Sequence, residues 1–165
     1  MLSEPKVEYR DELPYVAIRK TVAMREIAKD LPPLIPEILS WVDNKQLTQT
    51  GPVFFRYLSR DENGIMIAEV GVPVSKPAKG DEDVLSSSFP AGKYLTATHT
   101  GPYLELPKSH SSMDGFAKTN GLKEGTIKDE KGALVGTRAE FYVTHPDEIP
   151  DPREWVTDLS FLVEG

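Results

Sequence analysis

Residues 138–163, RAEFYVTHPDEIPDPREWVTDLSFLV, contain two stretches rich in β-branched and aromatic residues, separated by a proline-rich bend. Their alternation predicts one strand at 137–143 and a second at 154–164, joined by the bend. Glu140 lies inside the first strand, among residues suited to a core. The stretch therefore predicts a strand pair and raises the question of what a carboxylate does within it.

The same criteria predict six further strands and two helices. The helix at 34–44 carries an apolar stripe, and its prolines are confined to its start, where missing amide donors matter little. The helix at 109–120 begins with serines suited to capping, although Gly115 weakens it. A polar segment rich in Pro and Gly, 75–83, is typical of a join between halves. The six further strands are expected at 5–11, 14–22, 52–58, 64–74, 83–89 and 93–100.

Composition limits the classes of function. The 165 residues, 39% apolar and 27% charged, suit one globular domain. The absence of cysteine excludes disulfides, thiolate metal sites and a cysteine nucleophile. A net charge of −7 without a basic stripe argues against direct binding of nucleic acid. Because no apolar run is long enough to cross a membrane and no signal-peptide pattern opens the chain, we expect a cytoplasmic protein.

Two parts of the chain repeat one order of elements. Each has an extra strand followed by strand, helix, strand, strand, and FRYLSRD in one part aligns with EFYVTHPD in the other. This predicts a duplication, at about 1–75 and 83–165 with a linker at 76–82, within a single domain of residues 1–165. The expected consequence is a pseudo-twofold ligand groove where the halves meet. The matched pairs are Thr21 and Thr100, Met24 and Tyr103, Leu47 and Leu122, Phe55 and Glu140, Tyr57 and Tyr142, and Glu69 and Asp158.

At HTGPYLEL (99–106) and AEFYVTHPDEIPDPREWVTDLSFLV (139–163) the sequence resembles the GyrI-like small-molecule-binding domain, the effector-binding domain of AraC- and MerR-type bacterial transcription activators. The resemblance covers nearly the whole chain. It implies an α+β fold, a tandem βαββ arrangement with helices on one side of an antiparallel sheet and a ligand groove between the repeats. In the family a strand glutamate lies at the bottom of the groove and faces cationic or polarised ligands, and Glu140 occupies that position.

Strand parity places Glu140 and Tyr142 on one face with Arg138, and the residues between them on the other. We expect the other face to lie under the helices, so that Glu140 and Tyr142 line the groove together with Phe55 and Tyr57 from the other half. A bound cation would offset the desolvation of a carboxylate in such a cavity. The alternative is a solvated carboxylate paired with Arg138 or a lysine.

Other candidate residues keep two interpretations each. Tyr103 follows a Gly-Pro turn, which either aims its ring at the groove or leaves it plugging the start of the helix. Trp155 is either a groove wall or a core anchor. Glu69 and Asp158 occupy matching places in the last strand of each half, and they either line the groove or lie at an edge open to solvent.

Several other chemistries are disfavoured. His99, His110 and His145 lack the spacing of metal ligands, so we expect surface or turn histidines, no metal and no other cofactor. The segment 123–136 lacks a phosphate-loop pattern and is interpreted as a mobile loop beside the groove. No GxSxG elbow occurs, and the serines at 109–112 are better explained by helix capping than by nucleophilic catalysis.

Three functions follow from these residues and from the resemblance. The first is a binding module that senses or sequesters a small hydrophobic molecule, cationic or neutral, with a regulatory protein as partner and no nucleic acid or membrane. The second, which the resemblance implies for some free-standing members, is a hydrolase of strained electrophilic rings, with Glu140 as general base and Tyr103 or Tyr142 as proton donor. The third is a protein-binding role, because some relatives are associated with inhibition of DNA gyrase.

Overall fold

All eight predicted strands form in the computed structural model, which describes residues 1–164 and has an α+β fold. Three further strands of two residues each lie in the segment that precedes the quoted strand pair. The strands are β1 (Lys6–Arg10), β2 (Leu13–Ala23), β3 (Phe54–Arg60), β4 (Ile65–Pro73), β5 (Leu85–Phe89), β6 (Gly92–Thr100), β7 (Lys123–Glu124), β8 (Ile127–Lys128), β9 (Leu134–Val135), β10 (Arg138–Tyr142) and β11 (Val156–Glu164).

The helices are α1 (Ile27–Asp30), α2 (Leu34–Asn44) and α3 (Leu106–Thr119). The predicted bounds of α2 are confirmed, and its apolar stripe buries Ile38 and Val42. By contrast, α3 starts three residues before the predicted 109, after a short 3₁₀ turn, so Ser109 lies inside the helix and does not cap it. Within residues 1–164 no helix is long and apolar enough to cross a membrane.

The chain divides into two compact units, one formed by Met1–Arg10 and the chain from Gly92 onward, the other by Asp11–Ala91. In the first unit the antiparallel strand order is β1-β6-β11-β10, with β7 paired to the end of β11. Helix α3 packs on one face of this sheet. The core under α3 consists of Leu95, Ala97, Leu106, Met113, Ala117, Leu159, Phe161 and Val163.

The second unit has the antiparallel strand order β5-β2-β4-β3, and α2 packs against β2 and β4. Gly71 of β4 makes the close packing of this unit possible. A Cβ atom at this position would lie 2.6 Å from the Val16 carbonyl oxygen and 2.7 Å from the Phe54 ring. The backbone of β2 and an aromatic ring therefore approach β4 where the sequence provides no side chain.

The extra strands do not pair within the halves that the sequence suggested. β1 pairs with β6, and β5, which directly precedes β6 in the chain, pairs with β2. The boundaries between the two units therefore lie at residues 10/11 and 91/92, outside the predicted linker at 76–82. Both units share one strand order, which supports the predicted duplication, although the duplication itself stays a prediction.

The expected loop at 123–136 contains regular structure. β7 extends the sheet of the first unit, while β8 and β9 form a small hairpin of their own. Gly132, with a φ of 80°, occupies the turn of that hairpin, where a left-handed conformation favours glycine. The segment is therefore not a loop throughout, and the sequence missed its strands because two-residue strands are too short to give a periodic signal. Its mobility stays a prediction.

Candidate functional site

Glu140 is a buried carboxylate at the centre of β10. It lies directly opposite Leu159 of β11 and is only 6% exposed. The interpretation of Glu140 as a solvated surface residue is thus wrong. Burial of an ionisable group at this depth requires hydrogen-bond partners.

The face on which Glu140 lies differs from the expected one. Because Glu140 pairs with Leu159, which belongs to the core under α3, its side chain points towards that helix. His110 of α3 contacts it directly. The expectation that the Ala139 and Phe141 face would lie under the helix was therefore wrong. The apolar face of β11 decides which side the helix covers, whereas β10 alone has large residues on both faces.

Both oxygens of the Glu140 carboxylate have a protein partner. The Tyr142 hydroxyl donates to Oε1 at 2.6 Å, and Nε2 of His110 lies 2.8 Å from Oε2. Tyr142 and Glu140 are two residues apart on one strand, so the parity argument correctly predicted that they share a face. His110 was predicted to be a surface or turn residue, and this was wrong.

His110 belongs to a hydrogen-bonded row that continues to Arg138. The Arg138 Nη1 atom lies 3.2 Å from Nδ1 of His110, and its Nη2 atom donates to Asp114 at 2.6 Å and to Glu124 at 2.8 Å. The guanidinium also stacks on the Phe161 ring, 4.4 Å from its centroid. Burial alone would lower the pKa of Arg138, but the two carboxylates raise it above its ordinary value.

Tyr142, which donates to the carboxylate, belongs to a cluster of three aromatic rings. The Tyr103 ring centroid lies 5.5 Å from that of Tyr142 and 4.5 Å from that of Trp155. The Trp155 indole donates to the Ile149 carbonyl at 2.7 Å, which fixes its orientation. The pKa of Tyr103 is raised, mainly by burial and secondly by the negative charge of Glu140. The structure therefore brings together four of the predicted site residues: Glu140, Tyr142, Tyr103 and Trp155.

The hydroxyl of Thr157 adds a polar group that the sequence did not single out. Thr157 pairs across the sheet with Tyr142 on one side and with His99 on the other, on the face covered by α3. It is completely buried, and its Oγ1 has no hydrogen-bond partner within residues 1–164. A buried polar atom without a partner is uncommon in folded proteins.

His110 could have been found from the sequence by its place on the helix. It lies three residues before Met113 and seven before Ala117, both of which are core residues of α3. This spacing puts it on the buried stripe of the helix instead of the solvent face. Thr157 gives no comparable signal, since threonine is common in strands.

Phe55 and Tyr57 lie in the second unit. Phe55 is buried and pairs with Val70, while Tyr57 is half-buried and precedes an irregularity in the pairing of β3 with β4. Their side chains share a face of β3 by strand parity. Their contribution to a common site with Glu140 stays a prediction.

Glu69 and Asp158 do not share a face with the other candidates. Asp158 neighbours Leu159 on β11 and so faces away from α3, where it accepts a hydrogen bond from Thr98 at 3.0 Å. It lines a concave polar pocket of about 370 Å³ between β1, β6 and β11. Glu69 is fully buried and accepts hydrogen bonds from Tyr15 and Arg19. An exposed edge position was therefore the wrong interpretation of Glu69.

His99 is also buried, contrary to the expectation of a surface residue. Its Nδ1 lies 2.7 Å from Ser109 Oγ and its Nε2 lies 3.1 Å from the Pro102 carbonyl. The Pro102 carbonyl requires a proton on Nε2, and in a neutral imidazole Ser109 then donates to Nδ1. This contact joins β6 to α3 and gives Ser109 a partner inside the helix. His145, as expected, is exposed.

The sequence matches the family described as GyrI-like small molecule binding domain over residues 3–163. No curated protein sequence matches this chain. Among solved structures, the chain is similar to the EcmrR C-terminal domain, with 22% identity, a TM-score of 0.75 and coverage of 98% of this chain and 97% of that one. EcmrR in a DNA complex gives 22% identity, a TM-score of 0.74 and 98% coverage of this chain, which spans only 57% of the EcmrR chain there.

Two more distant structures share the fold. One is SAV2435 bound to tetraphenylphosphonium, with 16% identity, a TM-score of 0.65 and coverage of 99% of this chain and 95% of that one. The other is a hydrolase from Listeria innocua, with 14% identity, a TM-score of 0.56 and coverage of 98% and 92%. At these identities the likeness shows the fold, whereas the family match extends over nearly all of the sequence. The chain therefore belongs to the GyrI-like small molecule binding domain family.

Proposed function

We propose that this domain binds a small apolar cation, with Glu140 as its counter-ion and the rings of Tyr103, Tyr142 and Trp155 as its contact surface. The observation that carries the proposal is a glutamate residue only 6% exposed, whose hydrogen-bond partner Tyr142 belongs to a cluster of three aromatic rings. Loss of water weakens the solvation of the carboxylate, and a cation restores a favourable interaction. Each ring face adds an attraction on the order of 1 kcal/mol.

The relatives support this ligand class. SAV2435, which shares the fold, is bound to tetraphenylphosphonium, a permanent organic cation surrounded by apolar groups. EcmrR carries the fold as its C-terminal domain and forms a complex with DNA. We infer for this chain a role in sensing or sequestering such a molecule, with any contact to DNA supplied by other protein parts.

Binding accounts for the geometry of Glu140 better than hydrolysis does. A general base must accept a proton from water, so a water molecule has to reach one of its oxygens. Here Tyr142 contacts one oxygen and His110 the other. The same donors suit a carboxylate that serves as a fixed negative charge.

Titration calorimetry with tetraphenylphosphonium tests the proposal. Glu140→Gln should weaken binding of this cation about tenfold or more, because the favourable charge interaction is lost while the shape is kept. Neutral triphenylphosphine oxide should bind both proteins with similar affinity. Asp158→Asn is the matched control, since it removes one carboxylate from the opposite face of the same sheet. It should leave both affinities unchanged.

Equal affinity of the wild type and Glu140→Gln for the cation would contradict the proposal. Mass spectrometry after incubation with epoxide or cyclopropane compounds distinguishes a binding protein from a hydrolase. A binding protein returns these compounds unchanged, whereas a hydrolase adds water in a reaction that Glu140→Gln abolishes.

A further inference from the structure

A row of three hydrogen-bonded side chains runs from Arg138 through His110 to Glu140. The protonation state of His110, the middle residue, determines whether the group next to the carboxylate is neutral or positively charged. Nη1 of Arg138 lies 3.2 Å from Nδ1 of His110, and Nε2 of His110 lies 2.8 Å from Oε2 of Glu140. The His110 side chain is 16% exposed and that of Glu140 is 8% exposed, so little water competes for these contacts. The imidazole thus has a donor on one side and an acceptor on the other.

This arrangement fixes the protonation of His110. A guanidinium has only N–H groups, which donate, so Nδ1 of His110 must accept and carries no proton. Nε2 then carries the single proton of a neutral imidazole and donates it to Glu140. An imidazolium would direct an Nδ1–H group at the Arg138 cation, which is unfavourable in both charge and hydrogen bonding.

Arg138 is held in place for this contact. Asp114 and Glu124 bind its Nη2 atom at 2.6 and 2.8 Å, and the Phe161 ring lies under the guanidinium. The two carboxylates come from α3 and β7, so two elements outside β10 orient the side chain. The charge of Arg138 is therefore compensated on the side away from Glu140.

We propose that Arg138 is a positioning residue that keeps His110 neutral, so that His110 donates to Glu140 without becoming its counter-ion. The inference rests on the proposed function, in which the charge of Glu140 attracts a ligand. Tyr142 and a neutral His110 each supply an uncharged hydrogen-bond donor to one oxygen of the carboxylate. The row thus leaves the negative charge of Glu140 available to a cationic ligand.

Nitrogen-15 NMR of the wild-type protein tests the tautomer without any ligand. Long-range proton–nitrogen correlations distinguish a protonated Nε2 from a protonated Nδ1, and spectra of His110→Gln assign the signals among the three histidines. At neutral pH we expect His110 as a neutral imidazole with its proton on Nε2. A proton on Nδ1, alone or in an imidazolium, would overturn the proposal.

Arg138→Met tests the consequence for binding. Removal of a positive charge near the site should, by long-range electrostatics alone, tighten the binding of tetraphenylphosphonium. Our proposal requires the opposite, an affinity about tenfold weaker, because His110 becomes an imidazolium that pairs with Glu140 and competes with the ligand. Unchanged or tighter binding would refute it.

The double variant Arg138→Met/His110→Gln separates this effect from a general disturbance of the fold. Glutamine offers Glu140 a neutral donor and cannot become a cation, so the double variant should bind the cation at least as tightly as His110→Gln alone. Failure of that recovery would count against the role of His110. If the wild type binds no cation, the proposed function fails, while the same NMR measurement on the wild type and on Arg138→Met still decides whether Arg138 keeps His110 neutral.

Discussion

Among single residues, two buried threonines of the first unit differ in one respect. Both Thr137 and Thr157 are completely buried. The Oγ1 atom of Thr137 accepts a hydrogen bond from the Leu162 amide at 2.8 Å, whereas Thr157 has no partner within the part of the chain that the structure describes. The pair therefore permits a comparison of a satisfied and an unsatisfied hydroxyl in one environment.

Thr157→Val should raise the free energy of unfolding by about 1 kcal/mol, because it replaces an unsatisfied buried hydroxyl with a methyl group of similar size. Thr137→Val should lower it by about 1 kcal/mol or more, because the Leu162 amide loses its acceptor. Urea unfolding followed by circular dichroism measures both. If the two substitutions shift stability in the same direction, the Thr157 hydroxyl has a partner in solution.

At the scale of secondary-structure elements, β4 and α3 each contain a glycine. One of them is tightly packed and the other has open space around it. Gly71 lies in β4, where an added Cβ atom would meet the Val16 carbonyl, the Phe54 ring and Ala17 at less than 3.0 Å. Gly115 lies in α3, and an added Cβ atom there would meet nothing within 4 Å. One glycine is thus required by packing, and the other only weakens its helix.

Gly71→Ala should destabilise the protein by about 1–3 kcal/mol, because the clash involves backbone that cannot move independently. Gly115→Ala should stabilise it by about 0.5–1 kcal/mol, through the higher helix propensity of alanine. Thermal unfolding of the two variants beside the wild type gives both signs in one experiment. A stable Gly71→Ala protein would mean that β2 and β4 pack less closely than described.

The sequence predicted most elements because their signals are local. The stripe of α2 and the alternation of β11 are read within about ten residues of chain. The pairing of β1 with β6 has no local signal, since the edge strand could join either neighbour. Only part of the site could be predicted, because only part of it depends on local signals. Strand parity correctly grouped Glu140 with Tyr142, whereas their position under α3 follows from the register of β10 with β11.

For the molecule as a whole, a buried polar network in the second unit makes stability depend on pH. Tyr15 donates to Glu69 and accepts from Arg56 at 2.7 Å, and Arg19 completes the row at 2.8 Å from Glu69. Glu69 is 0% exposed and Arg56 is 2% exposed. Burial, and next the charge of Glu69, raise the pKa of Tyr15 above its ordinary value of 10.0.

The free energy of unfolding should therefore fall as pH rises above about 10, by up to roughly 1.4 kcal/mol per pH unit, since the unfolded phenol releases a proton that the folded one keeps. Below that pH the contribution is fully present. Tyr15→Phe should reduce the slope, although the protein becomes less stable overall. Tyr9→Phe, at an exposed site, should leave it unchanged. Urea unfolding at a series of alkaline pH values measures these slopes.

The pairing of β1 with β6 also has a consequence for synthesis on the ribosome. Asp11–Ala91 is one continuous segment, so its strands can pair as soon as they have emerged. Lys6, by contrast, pairs with Thr96, about 90 residues later. The nascent chain must therefore hold β1 without its partner while the intervening unit is made. β1 is thus synthesised before the unit of Asp11–Ala91 but can pair with β6 only after that unit has emerged.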